Sequence, residues 1–329
     1  MPRDTAPTDR HLLAADIGGT NSRFGHFTLS PSGDLALVSS VWLPTKSADS
    51  FVELLHRLPG AGFTLPLAQA EAAVFAVPGA VVGRTVTFAN IDWTLDLDDV
   101  SAAFGLARTA CVNDFLAQAH GCRLLGDDAE VVLPGGMDPD RVQAVIGAGT
   151  GLGHAALAPL EPVERGGYKV LPSEKGHASA SFFGDEENAF AAYLCRRTGE
   201  AYVRGDTVLS GSGLAHLHRF LTGEDLSPAE VGASLTPDSR TTALFARFYG
   251  RAARDYALTV LATGGVYVSG GVAAKNPLLV THPEFSREFL DSPTYGDLLQ
   301  TIAVRLVRDE QTGLYGAAWV AAHLLAQSS

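Results

Sequence analysis

Residues 142–160 read VQAVIGAGTGLGHAALAPL, and the fold turns on whether the chain leaves these glycines as a helix or as a strand. A dinucleotide-binding turn has the pattern G-x-G-x-x-G and leads into a helix. Here Leu152 stands where the third glycine should fall, and the continuation HAALAPLEPV contains Pro159 and Pro162. Prolines at that spacing suit a second strand better than a helix. The segment reads as strand, glycine turn, strand.

The same arrangement opens the chain. Residues 12–17 form an apolar run ending in DIGGTN, and RFGHFTL resumes a strand-like pattern. Thr20 superposes on Thr150 with an offset of 130 residues (150 − 20), a weak internal repeat. A repeat of this kind predicts a protein of two halves with a cleft between them. Between the repeats, residues 41–43 suit a third strand, SADSFVELLHRL a helix, AEAAVFAVPGAV a buried strand, and VTFANIDWTLDLDDVSAAFGL a strand, loop and helix. TACVNDFLAQAHGCRLL repeats strand then helix. Beyond the second turn, helices are predicted over DEENAFAAYLCRRTG, VLSGSGLAHLHRFLTG and TTALFARFYGRAARDYALTVLA. A buried strand, GVYVSGGV, then a strand and loop, AVRLVRDEQTG, precede a final helix, GLYGAAWVAAHLLA. The alternation argues α/β.

Composition narrows the function. A chain of 329 residues buries a full core, and acids outnumber Lys+Arg by 36 to 24. That balance disfavours a nucleic-acid-binding face, so an anionic ligand would have to be held largely by backbone N–H groups and a metal. Cys111, Cys122 and Cys195 are too few and scattered for a disulfide framework or zinc site, which fits a reducing, cytoplasmic compartment. The opening MPRDTAPTDRH is polar and reads as a loose tail rather than a signal peptide. Residues 256–274 carry no charge, but two Gly-Gly pairs divide them into helix end, turn, buried strand and turn, not a membrane span.

Three glycine turns recur at strand ends: DIGGTN, GAGTG and SGGV. Glycine allows positive φ and close approach of backbone N–H groups to a ligand, and successive N–H groups make an anion-binding nest; tight hairpins use the same residues. No G-x-x-x-x-G-K-[ST] is present. Asp16, a carboxylate at the end of a buried strand beside such a turn, suits Mg²⁺ or its waters, or a cap on its own turn. Asn113-Asp114, where a strand meets a helix, suits a helix cap or a substrate contact.

Together, LLAADIGGTNSRFG, VNDFLA, VIGAGTGLG, SEKGH, VLSGSGL, GVYVSGGV and TGLYGAA occur in the order and approximate spacing of bacterial-type glucokinases. The resemblance covers residues 12–325. It implies a two-domain actin-like/hexokinase-like (ribonuclease H-like) ATPase fold with an interdomain cleft. Residues 1–113 plus 309–329 would form a small α/β domain and 114–308 a large one. It implies ATP-dependent phosphorylation of glucose at the 6-hydroxyl, with Asp114 as catalytic base. Asn113, Asp114, Glu174, His177, Asp206 and Asn90 would contact the sugar. Ala15, Asp16, Ile17, Gly18, Gly19, Thr20, Gly149, Thr150, Gly270 and Gly271 would hold ATP, and Asp16 would organise Mg²⁺ through water. The family commonly forms homodimers.

Two residues depart from the family pattern. Lys175 replaces a glycine, and Asp206 is one methylene shorter than the family's glutamate. Both bear on sugar choice and keep a mannose or fructose kinase open. A sugar-responsive binding protein on the same fold is a further alternative, although only about eleven residues precede the first strand, too few for a helix-turn-helix. Trp93 reads as a packing residue. His216 and His218, at i and i+2 on a helix, do not share a face for a metal. Asp185-Glu186-Glu187 reads as the solvated first turn of a helix.

Overall fold

The computed structural model describes residues 8–78, 81–88, 91–160 and 167–326. The chain divides into two compact units, one running to Leu124 and resuming at Gln311, the other spanning Leu125–Glu310.

In the first unit, strands β1 (Arg10–Ile17), β2 (Asn21–Leu29), β3 (Leu35–Pro44), β4 (Ala72–Val77) and β7 (Thr109–Asn113) form a sheet ordered β3-β2-β1-β4-β7. Strands β5 (Thr85–Thr87) and β6 (Thr94–Asp96) form a two-stranded ribbon. β1 and β2 are the expected hairpin, antiparallel with Ile17 opposite Ser22, whereas β1–β4 and β4–β7 are parallel. Helices α1 (Phe51–His56), α2 (Leu97–Phe104), α3 (Asp114–Leu125) and α13 (Thr312–Ala326) complete the unit.

β4 reads AAVFAV and is buried throughout, the mark of a parallel strand covered on both faces. Its alternation assigns the faces: Ala73, Phe75 and Val77 enter a core with Leu13, Ala15, Ile17 and Phe51, while Ala72, Val74 and Ala76 pack with Leu12, Ala14 and the α13 residues Leu314, Ala317 and Ala321. By the same parity Asp16 belongs to the α13 side of β1. Trp93 packs against Phe51 and Phe88, as a core residue should. α3 meets α13 through small residues: a Cβ on Gly121 would collide with the carbonyl of Thr312, and one on Gly316 with that of Ala117. This backbone-to-backbone approach places α3 in the first unit.

The second unit has strands β8 (Glu130–Leu133), β9 (Gln143–Ala148), β10 (Leu152–Pro159), β11 (Tyr168–Ser173), β12 (Val266–Ser269) and β13 (Val304–Leu306), ordered β11-β10-β9-β12-β13-β8. The first five repeat the other sheet: two antiparallel pairings, then two parallel ones. The repeat read from two short glycine turns thus extends to whole-sheet topology. Residue 152 begins a strand, not a helix, so the dinucleotide-fingerprint reading is excluded. The helices are α4 (Gly184–Thr198), α5 (Gly205–Val208), α6 (Gly211–Thr222), α7 (Pro228–Ser234), α8 (Arg240–Val260), α9 (Gly271–Lys275), α10 (Leu278–Thr281), α11 (Pro283–Leu290) and α12 (Gly296–Thr301). Residues 256–274 are the end of α8, a turn, β12 and the start of α9, and no described helix is long and apolar enough to cross a membrane.

The acidic first turn of α4 differs from expectation. Glu187 is buried, not solvated. Its carboxylate takes both ends of the Arg251 guanidinium, at 2.6 and 3.2 Å, and Arg251 Nε reaches Glu288 at 3.1 Å. Burial alone would raise the Glu187 pKa; hydrogen bonds from Arg251 and from the Phe183 amide outweigh it and hold the carboxyl below its ordinary range.

Candidate active site

At the end of β1, the Gly18 amide donates to the Asn21 carbonyl at 3.0 Å, closing the first glycine turn. A Cβ on Gly18 would stand 2.8 Å from that oxygen, so glycine is required by close approach. Gly19 has open space around it. The turn is fastened by a pair that sequence reading missed: Thr45 Oγ1 donates to the Gly18 carbonyl at 2.6 Å and lies 2.8 Å from Ser22 Oγ. Of the expected nucleotide contacts, Ala15 and Ile17 put their side chains in the core, leaving only main chain to offer.

Asp16 pairs across the hairpin with Arg23, whose Nη1 lies 3.5 Å from Oδ2. Burial pushes the Asp16 carboxyl above its ordinary value, and Arg23 only partly opposes this. Gly313, at the start of α13, leaves room for the carboxylate: a Cβ there would lie 3.1 Å from Asp16 Oδ2 and 3.4 Å from Gln118 Oε1.

Asn113 and Asp114 both turn a side-chain oxygen to main-chain amides at the start of α3. Asn113 is the main cap: its Oδ1 accepts from the amides of Phe115 and Leu116 at 2.9 and 3.1 Å. Asp114 is the first residue of α3, and one oxygen, Oδ1, accepts from the Phe115 amide at 2.8 Å.

In the second unit the remaining two turns lie side by side, at the carboxyl ends of the parallel neighbours β9 and β12, where α/β sheets bind ligands. Tyr249 joins them: its hydroxyl accepts from the Ala148 amide at 3.1 Å and donates to the Ser269 carbonyl at 3.4 Å. Positive φ, expected of the glycine turns generally, occurs among the nucleotide candidates only at Gly270, with φ +88°. Gly149 and Gly271 share the openness of Gly19. Each turn therefore carries one glycine that neither packing nor φ demands, as a ligand pressed against main chain would require. The Gly211 amide donates to the Gly149 carbonyl at 2.9 Å, bringing the Ser210-capped start of α6 beside Thr150.

Glu174, His177 and Asp206 come together. His177 Nδ1 lies 3.4 Å from Asp206 Oδ2, and His177 Nε2 lies 3.5 Å from Glu174 Oε2. Gly176 holds this loop against β10, since any Cβ would strike the Leu152 carbonyl. The cluster adjoins the second glycine turn: a Cβ on Gly151 would sit 3.8 Å from Asp206 Cβ. Lys175 lines a cavity with His154, Ser179, Ser181 and Asp255, and Glu174, His177 and Asp206 are not among that cavity's lining residues. Burial, aided by the charge of Lys175, holds the His154 imidazole down to about 3, hence neutral. Asn90 lies outside the described residues.

Residues 13–324 match the model of the family described as glucokinase. The chain belongs to the glucokinase family. It is 30% identical to a glucokinase of Synechocystis sp., over 95% of this chain and 98% of that one. Among solved structures it resembles a glucokinase from an Antarctic psychrotroph, with TM-score 0.78, 26% identity and coverage of 95% and 99%. It shares the fold of a ROK family glucokinase from Streptomyces griseus solved with glucose and AMPPNP, with TM-score 0.58, 21% identity and coverage of 95% and 99%. The protein is thus a sugar kinase on the actin-like ATPase fold.

For a glucokinase, the donor set on β1 fits a magnesium ion held mainly by phosphates and water. Asp16 supplies one carboxylate, its side chain 24% exposed. Among the described residues no group of three or more His, Cys, Asp or Glu could hold a metal. His216 and His218 accordingly form no such group, and His218 is instead bonded to Thr241 and Glu224.

Proposed function

We propose that this glucokinase-family protein transfers the γ-phosphoryl group of ATP to the 6-hydroxyl of glucose, giving glucose 6-phosphate and ADP. The observation that carries the reading is the adjacency, within one unit, of the open Gly149–Gly151 turn and the Glu174, His177, Asp206 cluster. The Gly149 amide already donates to the Gly151 carbonyl at 2.8 Å. The amides of Thr150 and Gly151 are therefore the donors suited to phosphate there, next to acceptors and a donor suited to hydroxyls. The S. griseus relative solved with glucose and AMPPNP supports the same pairing of ligands.

In this reading Gly18, Gly19, Thr20, Gly149, Thr150, Gly270 and Gly271 hold the nucleotide, and Asn113, Glu174, His177 and Asp206 orient the sugar. Asp114 takes the proton of the 6-hydroxyl as the new O–P bond forms and the bond to the ADP oxygen breaks. Mg²⁺, held through water by Asp16, would neutralise phosphate charge. Positioning dominates, because a carboxylate at a helix N-terminus is a weak base. Asp206, shorter than the family's glutamate and already engaged by Arg204 at 3.2 Å, favours one second reading, a kinase of mannose or fructose.

Asp114→Asn tests the assignment. Asn113 retains the main cap, so the variant folds and binds ATP like the parent, while kcat falls by about two to four orders of magnitude. Near-normal turnover would remove Asp114 from the chemistry. A coupled assay across glucose, mannose and fructose ranks the substrates by kcat/KM. Absence of sugar-dependent ADP release would turn the reading toward a sugar-responsive binding protein.

A further inference from the structure

We infer that Arg204, which belongs to none of the recognised motifs, positions the sugar-recognition cluster and sets the direction of its hydrogen bonds. The inference rests on the sugar-kinase reading for its kinetic consequence, but not for its structural one.

Arg204 occupies the N-cap position of α5, two residues before Asp206. Its Nε and Nη2 lie 3.2 and 2.8 Å from the two carboxylate oxygens of Glu200, which anchors the guanidinium in a fork. That leaves Nη1 to face two groups at once: Asp206 Oδ2 at 3.2 Å and His177 Nδ1 at 3.0 Å. A guanidinium has only donors and stays protonated in proteins. His177 Nδ1 must therefore present its lone pair to Arg204, and the ring proton resides on Nε2, the nitrogen that faces Glu174. The closer approach of Arg204 to Nδ1, 3.0 Å against 3.4 Å for Asp206, favours this over a proton on Nδ1 shared with Asp206.

The consequence is a cluster of fixed polarity. His177 Nε2–H is its donor, and the carboxylates of Glu174 and Asp206 are its acceptors. A vicinal pair of sugar hydroxyls can then donate to a carboxylate while accepting from the imidazole. Arg204 also fixes the short side chain of Asp206, whose side chain is 16% exposed, where a longer acid would reach without help. Without the guanidinium, His177 is free to take either tautomer and Asp206 to change rotamer, so sugar affinity suffers before the chemical step does.

The test compares the parent with R204M and R204K. Two-bond ¹⁵N–¹H correlation spectra report the His177 tautomer: Nδ1 reads as the unprotonated nitrogen in the parent, and R204M loses that preference. In steady-state assays R204M raises KM for glucose about tenfold or more, with KM for ATP and kcat changed less than about threefold. R204K recovers part of the glucose affinity. If R204M does not fold, E200Q, which releases the guanidinium from its anchor, carries the same measurements. An unchanged glucose KM in the folded variant, or His177 protonated on Nδ1 in the parent, overturns the inference. Failure of the parent to phosphorylate any hexose would instead sink the functional reading, and the spectra would still decide the role of Arg204.

Discussion

Thr45 Oγ1 donates to the Gly18 carbonyl at 2.6 Å, across 27 residues of chain, and so locks the first glycine turn from behind. Thr45 is fully buried, and its amide also donates to the Thr20 carbonyl at 2.9 Å. Thr45→Val keeps the shape but removes the hydroxyl, leaving a carbonyl and Ser22 short of a partner. The expected cost is about 1–3 kcal/mol in denaturant unfolding, with a raised KM for ATP and little change in KM for the sugar. A rise confined to the sugar KM would separate this turn from the nucleotide.

Neighbouring glycines should behave oppositely. Gly270 has φ +88° and a Cβ there would lie 2.6 Å from the Ala148 carbonyl, so Gly270→Ala costs at least about 1–2 kcal/mol of stability. Gly271 has neither constraint, and Gly271→Ala should leave stability within about 0.5 kcal/mol while weakening nucleotide binding. Urea unfolding and nucleotide titration on the pair distinguish folding from function. Equal destabilisation by the two would contradict the assignment of Gly271 to a ligand.

Asp16→Asn should make the protein more stable at pH 7 and abolish turnover. Burial raises the folded pKa above the ordinary 3.8. Between the unfolded and folded values the native state retains a proton that the unfolded chain has released, so stability falls as pH rises through that window. Above the window the full cost is present, and the amide avoids it. The gain in Tm should shrink as pH is lowered toward 3.8 and vanish below it. A variant that melts lower than the parent at pH 7 would mean that the Arg23 pairing outweighs burial.

The Arg251–Glu187 pair should be costly to break singly and cheap to replace as a whole. Both residues are buried, at 3% and 2% exposure, so Arg251→Ala leaves the Glu187 carboxylate with only the Phe183 amide at 2.8 Å and the looser Arg247 pairing at 3.5 Å. The expected loss is about 3–5 kcal/mol. Replacing Arg251 by Met together with Glu187 and Glu288 by Leu and Gln should recover most of it, as measured by a double- and triple-mutant cycle in urea.

The strands and the turns were legible because their signals are local: short apolar runs that stop at glycine pairs. Asn113-Asp114 was legible as a junction for the same reason. What the sequence concealed lies in long-range pairing. Glu187 looks like any acid in a first helical turn until Arg251, 64 residues later, is folded against it. Arg204 carries no motif, and its meaning comes from His177, 27 residues earlier. Thr45 is one hydroxyl among many. The glycines misled in one respect, since crowding or openness, rather than backbone handedness, explains all but Gly270 among the nucleotide candidates. Strands β6, β8 and β11 and helices α5, α7, α9, α10, α11 and α12 escaped reading because short elements give too few residues for a period to show.

Helix α13 fills one face of the first sheet, with Leu314, Ala317, Ala318, Ala321 and Leu325 against Leu12, Ala14 and Val74. Those partners leave the ribosome hundreds of residues apart. While the second unit emerges it can close its own core as a continuous stretch of nascent chain. The first sheet must wait, with one apolar face uncovered, until translation reaches Leu325. The half begun first is finished last.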